Sequence, residues 1–160
     1  MKKTQKRIVF LLLIALLVTI IPLPAILDFL RPPCVLLVCL YLQLYAPSFF
    51  SVSLLVILGL VMDSLLSTVL GEHVFSLCLV AWLASSKGRR FSFFSMGQQM
   101  AFMGFFACIY QLSLVCIDCL LGNQGHISSV IGVSLVSIVL WPWMSLIGEE
   151  FLMSGVSYEI

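Results

Sequence analysis

The sequence predicts an all-α integral membrane protein, a bundle of six transmembrane helices, on three observations. First, the 160 residues are 62% hydrophobic and only 9% charged, with a mean hydropathy of +1.19. A water-soluble domain has about a quarter charged residues and could not hide this much apolar surface in a core of this size. Second, the apolar runs are long and do not alternate with polar residues. The backbone must then satisfy itself within helices rather than in a closed barrel. Third, the basic residues fall in two clusters, Lys2, Lys3, Lys6 and Arg7 at the front and Lys87, Arg89 and Arg90 in the middle, with Arg31 apart. Six spans place both clusters and both termini on one side, seven basic residues against one, and the positive-inside rule makes that side the cytoplasm. Nothing in this charge distribution forms a basic domain for nucleic acid.

Taken in order, the first helix covers about 8–27. Its basic front and apolar run Ile8–Ile21 have the form of a signal peptide, but Pro22 and Pro24 follow where a small-residue cleavage site would be, so an uncleaved helix is expected. Leu30-Arg31-Pro32-Pro33 reads as a turn, and proline suits the first turn of the helix after it, about 32–46. That helix is short for a hydrocarbon core of roughly 30 Å, so it should sit shielded among other helices or in a thinner part of the bilayer. Ala46-Pro47-Ser48 breaks the chain, and the third helix covers about 48–66. A turn over 67–73 leads to the fourth, about 74–86, closed by Lys87-Gly88-Arg89-Arg90. The fifth, about 96–121, is the longest. Gly122-Asn123-Gln124-Gly125-His126 is a strong turn signal before the sixth, about 128–147, and residues 148–160 form a short acidic cytoplasmic tail. No internal repeat links the two halves, which speaks against an inverted-repeat transporter.

The chain is organised around Gly59 to Glu72, where Asp63 stands inside an apolar run between Gly59 and Gly71. An intramembrane acid is costly unless it faces protein or water. It either carries a proton or binds an ion, or it is structural, capping a neighbouring helix N-terminus or pairing with Arg31. The structural reading is favoured, because one acid without a chain of others makes a poor proton relay. Arg31-Pro32 reads as a polar cap at the membrane surface or as snorkelling, and Glu72-His73 as part of a solvated outer loop. Gln98 and Gln99 open the fifth helix, where amides can bond across helices, and Ser128 with Gly132 gives a small-xxx-small step on the sixth. Gly59 and the Ser128–Gly132 step are the two patches small enough for a partner helix to approach. Trp141-Pro142-Trp143 joins a helix kink to two amphipathic rings, read as an aromatic belt. The six cysteines lie in apolar runs and act as small hydrophobes; Cys116-Ile117-Asp118-Cys119 lacks the second pair a metal or redox site needs. No nucleophile with a base, phosphate loop or metal-ligand spacing is present, so neither an enzyme nor a cofactor is expected.

Several of these residues recur together in one family. The chain resembles the rod shape-determining protein MreD family over nearly its whole length, on landmarks in order: Arg31-Pro32 opening the second helix, Ala46-Pro47 closing it, the Gly59–Asp63–Leu70-Gly71 stretch, Gln98-Gln99-Met100-Ala101, and Trp141-Pro142 in the last helix. The resemblance implies a six-helix bundle similar to the substrate-binding S component of energy-coupling vitamin transporters. It implies a non-catalytic inner-membrane scaffold that binds the bitopic protein MreC. With MreB filaments, RodA and a class B penicillin-binding protein, such a scaffold organises lateral peptidoglycan synthesis. The sequence departs from the family at Pro33, where Asp or Asn is usual, at Ser67, where glycine is common, at Gly97, where tryptophan precedes the glutamines, and at the acidic Glu149-Glu150.

A second function follows from the S-component likeness, a carrier or receptor for a small molecule. The discriminator is a cavity of a few hundred Å3 with convergent polar groups. The polar residues available on the outer side are Arg31, Asp63, Glu72, His73, Asp118, Asn123 and His126.

Overall fold

Residues 2–20, 32–47, 50–85, 91, 94–122, 127–148 and 150 are described by a computed structural model. Among them are six helices: α1 (Lys2–Ile20), α2 (Cys34–Tyr45), α3 (Val52–Leu66), α4 (Glu72–Ser85), α5 (Met96–Leu120) and α6 (Ile127–Gly148). The basic front is thus part of α1 rather than a tail before it. Arg31, the residues after Ile20 expected to complete the first helix, the Lys87–Arg90 cluster, the turn residues Asn123 to His126 and the acidic tail except Gly148, which ends α6, and Glu150 lie outside the described residues.

Helix ends have local causes. Ser51 is extended and its hydroxyl accepts the Leu54 N–H at 3.3 Å, so α3 has a side-chain N-cap. The Gln98 side-chain oxygen accepts the Ser95 N–H at 3.2 Å, the return half of a capping box that opens α5. The carbonyl of Pro33 takes the Leu37 N–H at 3.0 Å, and α2 stops where Ala46 N–H reaches the Leu42 carbonyl at 2.9 Å, one residue before Pro47. At the end of α3, Ser67 adopts φ 54°, the only positive φ of a non-glycine among the described residues. A left-handed position after a helix is where glycine fits without strain. The serine here carries a local strain of about 1 kcal/mol.

α2 is the central element. Nine of its twelve residues are buried, which places this short helix inside the bundle rather than against lipid. It packs on α1, α4 and α6; α3 pairs with α4, and α5 lies between α4 and α6. Two glycines set the closest helix contacts. A Cβ at Gly59 would lie 2.6 Å from the Val74 Cα, so α3 and α4 touch backbone to backbone. A Cβ at Gly104 would lie 2.6 Å from the Ile138 side chain, which brings α5 against α6.

The outer surface is apolar: Leu13 and Leu17 of α1, Ile57 of α3, Trp82 of α4, Phe105 of α5 and Ile131, Leu135 and Val139 of α6 all stand exposed. A soluble monomer does not present such faces to water, and α5 and α6 are long and apolar enough to cross a bilayer. The bundle has two distinct ends. The start of α2, the end of α3, the start of α4 and the adjoining parts of α5 and α6 meet at one. The end of α2 meets the start of α5 and the later part of α6 at the other.

Candidate functional site

The first end is built on Asp63, which is fully buried. Its carboxylate accepts four hydrogen bonds, all from the segment that follows α3: Gly71 N–H at 2.6 Å, His73 N–H at 3.0 Å, His73 Nδ1–H at 2.8 Å and Thr68 hydroxyl at 3.3 Å. Two of the donors are backbone N–H groups at the start of α4, the groups a helix leaves unpaired at its N-terminus. Gly71 has φ +99° and so lets the chain reverse within reach of the acid. A negative charge at a helix N-terminus also opposes the positive end of the helix dipole. The bond to Asp63 fixes the proton of His73 on Nδ1, because an ionised carboxylate only accepts, and Nε2 is left as an acceptor.

This cap corrects the reading of Glu72-His73 as a solvated outer loop. Both residues form the first turn of α4, and each is only 5% exposed. The helix starts there because Asp63 satisfies the backbone donors that would otherwise need water.

Beside the cap lies a cleft of about 340 Å3, within the roughly 300–1,000 Å3 of small-ligand sites. Its polar wall is Thr68, Glu72, His73, Tyr110, Gln111, Asp118 and Ser129; Pro32, Pro33, Leu66, Leu114 and Val133 complete it. Tyr110 is 4% exposed and its ring packs against the His73 ring, centroids 6.3 Å apart. Among the described residues no lysine or arginine lines the cleft, and no group of three His, Cys, Asp or Glu is arranged to hold a metal ion.

The other end is aromatic. Gln99 ties three helices together: its Oε1 accepts from Tyr45 Oη–H at 3.3 Å and Trp141 Nε1–H at 3.2 Å, while its Nε2 donates to the Phe94 carbonyl at 3.1 Å. Trp141 is fully buried, with the Phe91 ring edge-on at 5.9 Å and Tyr41 at 6.3 Å. Trp143, two residues on, is 66% exposed. The expected belt pair is therefore one interior bracket and one outward ring, since a two-residue step turns a helix by about 200°.

A family model described as rod shape-determining protein MreD matches residues 2–150 of the 160. The chain belongs to the MreD family. It matches no curated protein and no solved structure. As a member of the MreD family it is a membrane protein with a role in determining rod shape, and that family is one of shape determination rather than of known enzymes.

Within this MreD chain, Pro32, Asp63 and Gly71 come together at the cleft end, and Gln99 and Trp141 at the aromatic end. Gln98 is exposed and serves the α5 cap, and Pro142 sits inside α6. Gly59 and Gly132 are both buried, Gly59 against α4 of the same chain, while Ser128 of the small-residue step on α6 is exposed. Arg31, and with it the expected pair to Asp63, lies outside the described residues. Thr68, Tyr110, Gln111, Ser129 and Gly104 were not singled out by sequence reasoning. A tyrosine or threonine in an apolar run carries no spacing signal, and only the three-dimensional meeting of α3, α4, α5 and α6 gives the four polar residues a site, while Gly104 lies apart from it, against α6.

Proposed function

We propose that this MreD chain is a non-catalytic scaffold in the bacterial inner membrane that binds MreC directly. Through MreC it acts with MreB, RodA and a class B penicillin-binding protein to organise lateral peptidoglycan synthesis. The family match over residues 2–150 carries the reading. It is supported by the use of the landmark side chains: Asp63 and Gln99 engage neighbouring segments of the same chain rather than an array of reactive groups. The test is co-purification of the tagged protein from its own membranes. MreC is expected in the eluate, and a chain that reproducibly comes out without MreC overturns the reading.

The orientation proposed with it has both termini cytoplasmic and the cleft end outward, supported by the two basic clusters. A cysteine added at the C-terminus should resist membrane-impermeant reagents in intact cells; labelling from outside refutes the six-span topology. A second reading, an S-component-like binder of a small molecule, is favoured by one observation, the polar-walled cleft of about 340 Å3.

A further inference from the structure

The structure divides the six cysteines into two groups. Cys34, Cys39, Cys78 and Cys108 are buried or half-buried among the helices, whereas Cys116 and Cys119 are both exposed. The pair lies on the last two turns of α5, which ends at Leu120, and neither residue belongs to the apolar core. Three residues apart, the two side chains are neighbours on one flank of the helix. Helix geometry sets their Cα atoms about 5 Å apart, inside the range of roughly 4.4–6.8 Å that a disulfide spans. Their Cβ atoms start about 5–6 Å apart and must draw together to about 4 Å. The end of α5 is where the backbone can give. The Leu121 N–H divides itself between the Ile117 and Asp118 carbonyls, 3.1 Å from each, and the Gly122 N–H reaches back only three residues, to the Cys119 carbonyl at 3.2 Å. Shared and shortened bonds of this kind mark a last turn that the regular helix ladder no longer holds. A metal ion needs further ligands, and no cluster of three is present among the described residues; a disulfide is complete with two sulfurs.

We propose that Cys116 and Cys119 are a redox pair, closed to a disulfide on the outer face of the membrane and reopened by dithiols. The proposal rests on the outward orientation of the cleft end given above, and not on MreC. Cys119 lies one residue and Cys116 four residues before the end of α5, at most about 6 Å along the axis. The residue between them on the same turn, Asp118, lines the cleft. The pair thus stands at the level where water enters the bundle, on the side of the bacterial inner membrane where disulfides form and persist. The oxidant is a protein disulfide of that compartment. The thiolate of one cysteine attacks it, forming a mixed disulfide and releasing one thiolate of the oxidant; the thiolate of the other cysteine then displaces the oxidant's second sulfur. One S–S bond forms in α5 as one breaks in the oxidant. Two protons leave the pair, and its two electrons end on the oxidant's two thiols. An exposed disulfide that must draw its own helix turn together is of the labile kind rather than a permanent staple.

The test reads the pair in the full chain as cells make it. Intact cells are quenched in acid, free thiols are blocked with N-ethylmaleimide under denaturing conditions, and the peptide that holds residues 116–119 is weighed by mass spectrometry. Most of that peptide should be unblocked and two hydrogens lighter than its reduced form, while the four other cysteines take the maleimide without reduction. Dithiothreitol should open the pair in the purified, folded protein with no change in far-UV circular dichroism. In cells that lack their periplasmic thiol oxidase the doubly blocked peptide should rise several-fold, and in Cys119→Ser the remaining Cys116 should take the maleimide without reduction. A parallel sample, treated with a membrane-impermeant reductant and then an impermeant maleimide, separates two failures. A pair found as thiols that the impermeant maleimide reaches overturns the proposal and leaves the orientation standing. A pair found as thiols that it cannot reach overturns the orientation, and the proposal with it. The proposal is also overturned if the purified chain keeps both thiols in an excess of oxidised glutathione, or if the two cysteines are found bridged to other chains rather than to each other.

Discussion

Replacing Asp63 separates a structural acid from one that works by its charge. In Asp63→Leu the four donors that converge on the carboxylate lose their acceptor together. Two of them have an escape. Thr68 is exposed and its hydroxyl can turn to solvent, and the ring of His73, a residue that lines the cleft, can move its proton to Nε2. The backbone N–H groups of Gly71 and His73 have none, since their positions are set by the start of α4. At about 1–3 kcal/mol for each buried donor left unpaired, with a few tenths more for the lost charge at the helix N-terminus, the change should destabilise the fold by about 2–6 kcal/mol. Asp63→Asn is milder. An amide oxygen in the place of Oδ1 keeps the bonds to His73 and Thr68, while its NH2 meets the Gly71 N–H donor to donor, a loss of about 1–3 kcal/mol. The assay is unfolding of both variants in mild detergent under an increasing fraction of SDS, followed by far-UV circular dichroism, with protein level and support of rod shape measured in parallel. The order parent, Asn, Leu is expected in every readout. A Leu variant that unfolds with the parent refutes the cap as the reason for the acid. Equal and complete loss of function in both variants at normal protein level assigns the acid's role to its charge.

Other perturbations address the packing. Gly59→Ala places a methyl 2.6 Å from the Val74 Cα, which must part α3 from α4 at about 1–3 kcal/mol; the SDS midpoint should fall, Gly59→Leu should lower the protein level, and an unchanged midpoint refutes the close contact. Gln99→Leu leaves the buried Trp141 Nε1–H without its acceptor, a loss of about 1–3 kcal/mol. Gln99→Glu, which keeps an acceptor oxygen, should retain more of the stability, and equal midpoints for the two would show that the bracket contributes nothing.

How much of this could be read from residues alone depends on the range of the interaction that decides it. Composition and the length of the apolar runs are global quantities, and they point to a helical membrane chain whatever the local details. Asp63 is also legible, because a carboxylate in an apolar run contradicts its surroundings and so demands a partner. The identity of that partner is not. The acid reaches Gly71 and His73, eight and ten positions on, beyond the three- and four-residue spacing by which helix caps are recognised. Without that link Glu72-His73 looks like an exposed turn, and with it the same residues begin a helix. Trp141 and Trp143 share one residue type and differ in helix phase, so composition assigns them alike where geometry divides them. Gly59 announces a close contact, but a contact inside the chain and one with a partner leave the same mark on a sequence; the nearness of Val74 decides it.

The cap and the cleft follow from one constraint. Bringing the first turn of α4 into the bundle buries Glu72 and His73 along with it, and Asp63 can answer only the histidine ring and the backbone donors. The polar remainder, the Glu72 carboxylate and the free face of His73, is thereby pushed to the one side that α3 does not cover, where α5 supplies Tyr110 and Asp118. Gln99 at the opposite end shows the contrasting solution: a neutral amide carries no charge to be answered, its oxygen takes two bonds and its nitrogen gives one, and the Trp141 ring that bonds it packs against Phe91. An acid in a capping role does leave something over, because a carboxylate that orders a helix start orders every side chain on that turn as well. The polarity of the cleft is therefore a consequence of placing Asp63 in the membrane, and a variant that loses the cap should lose the cleft with it, whereas Gln99→Leu should leave the cleft intact.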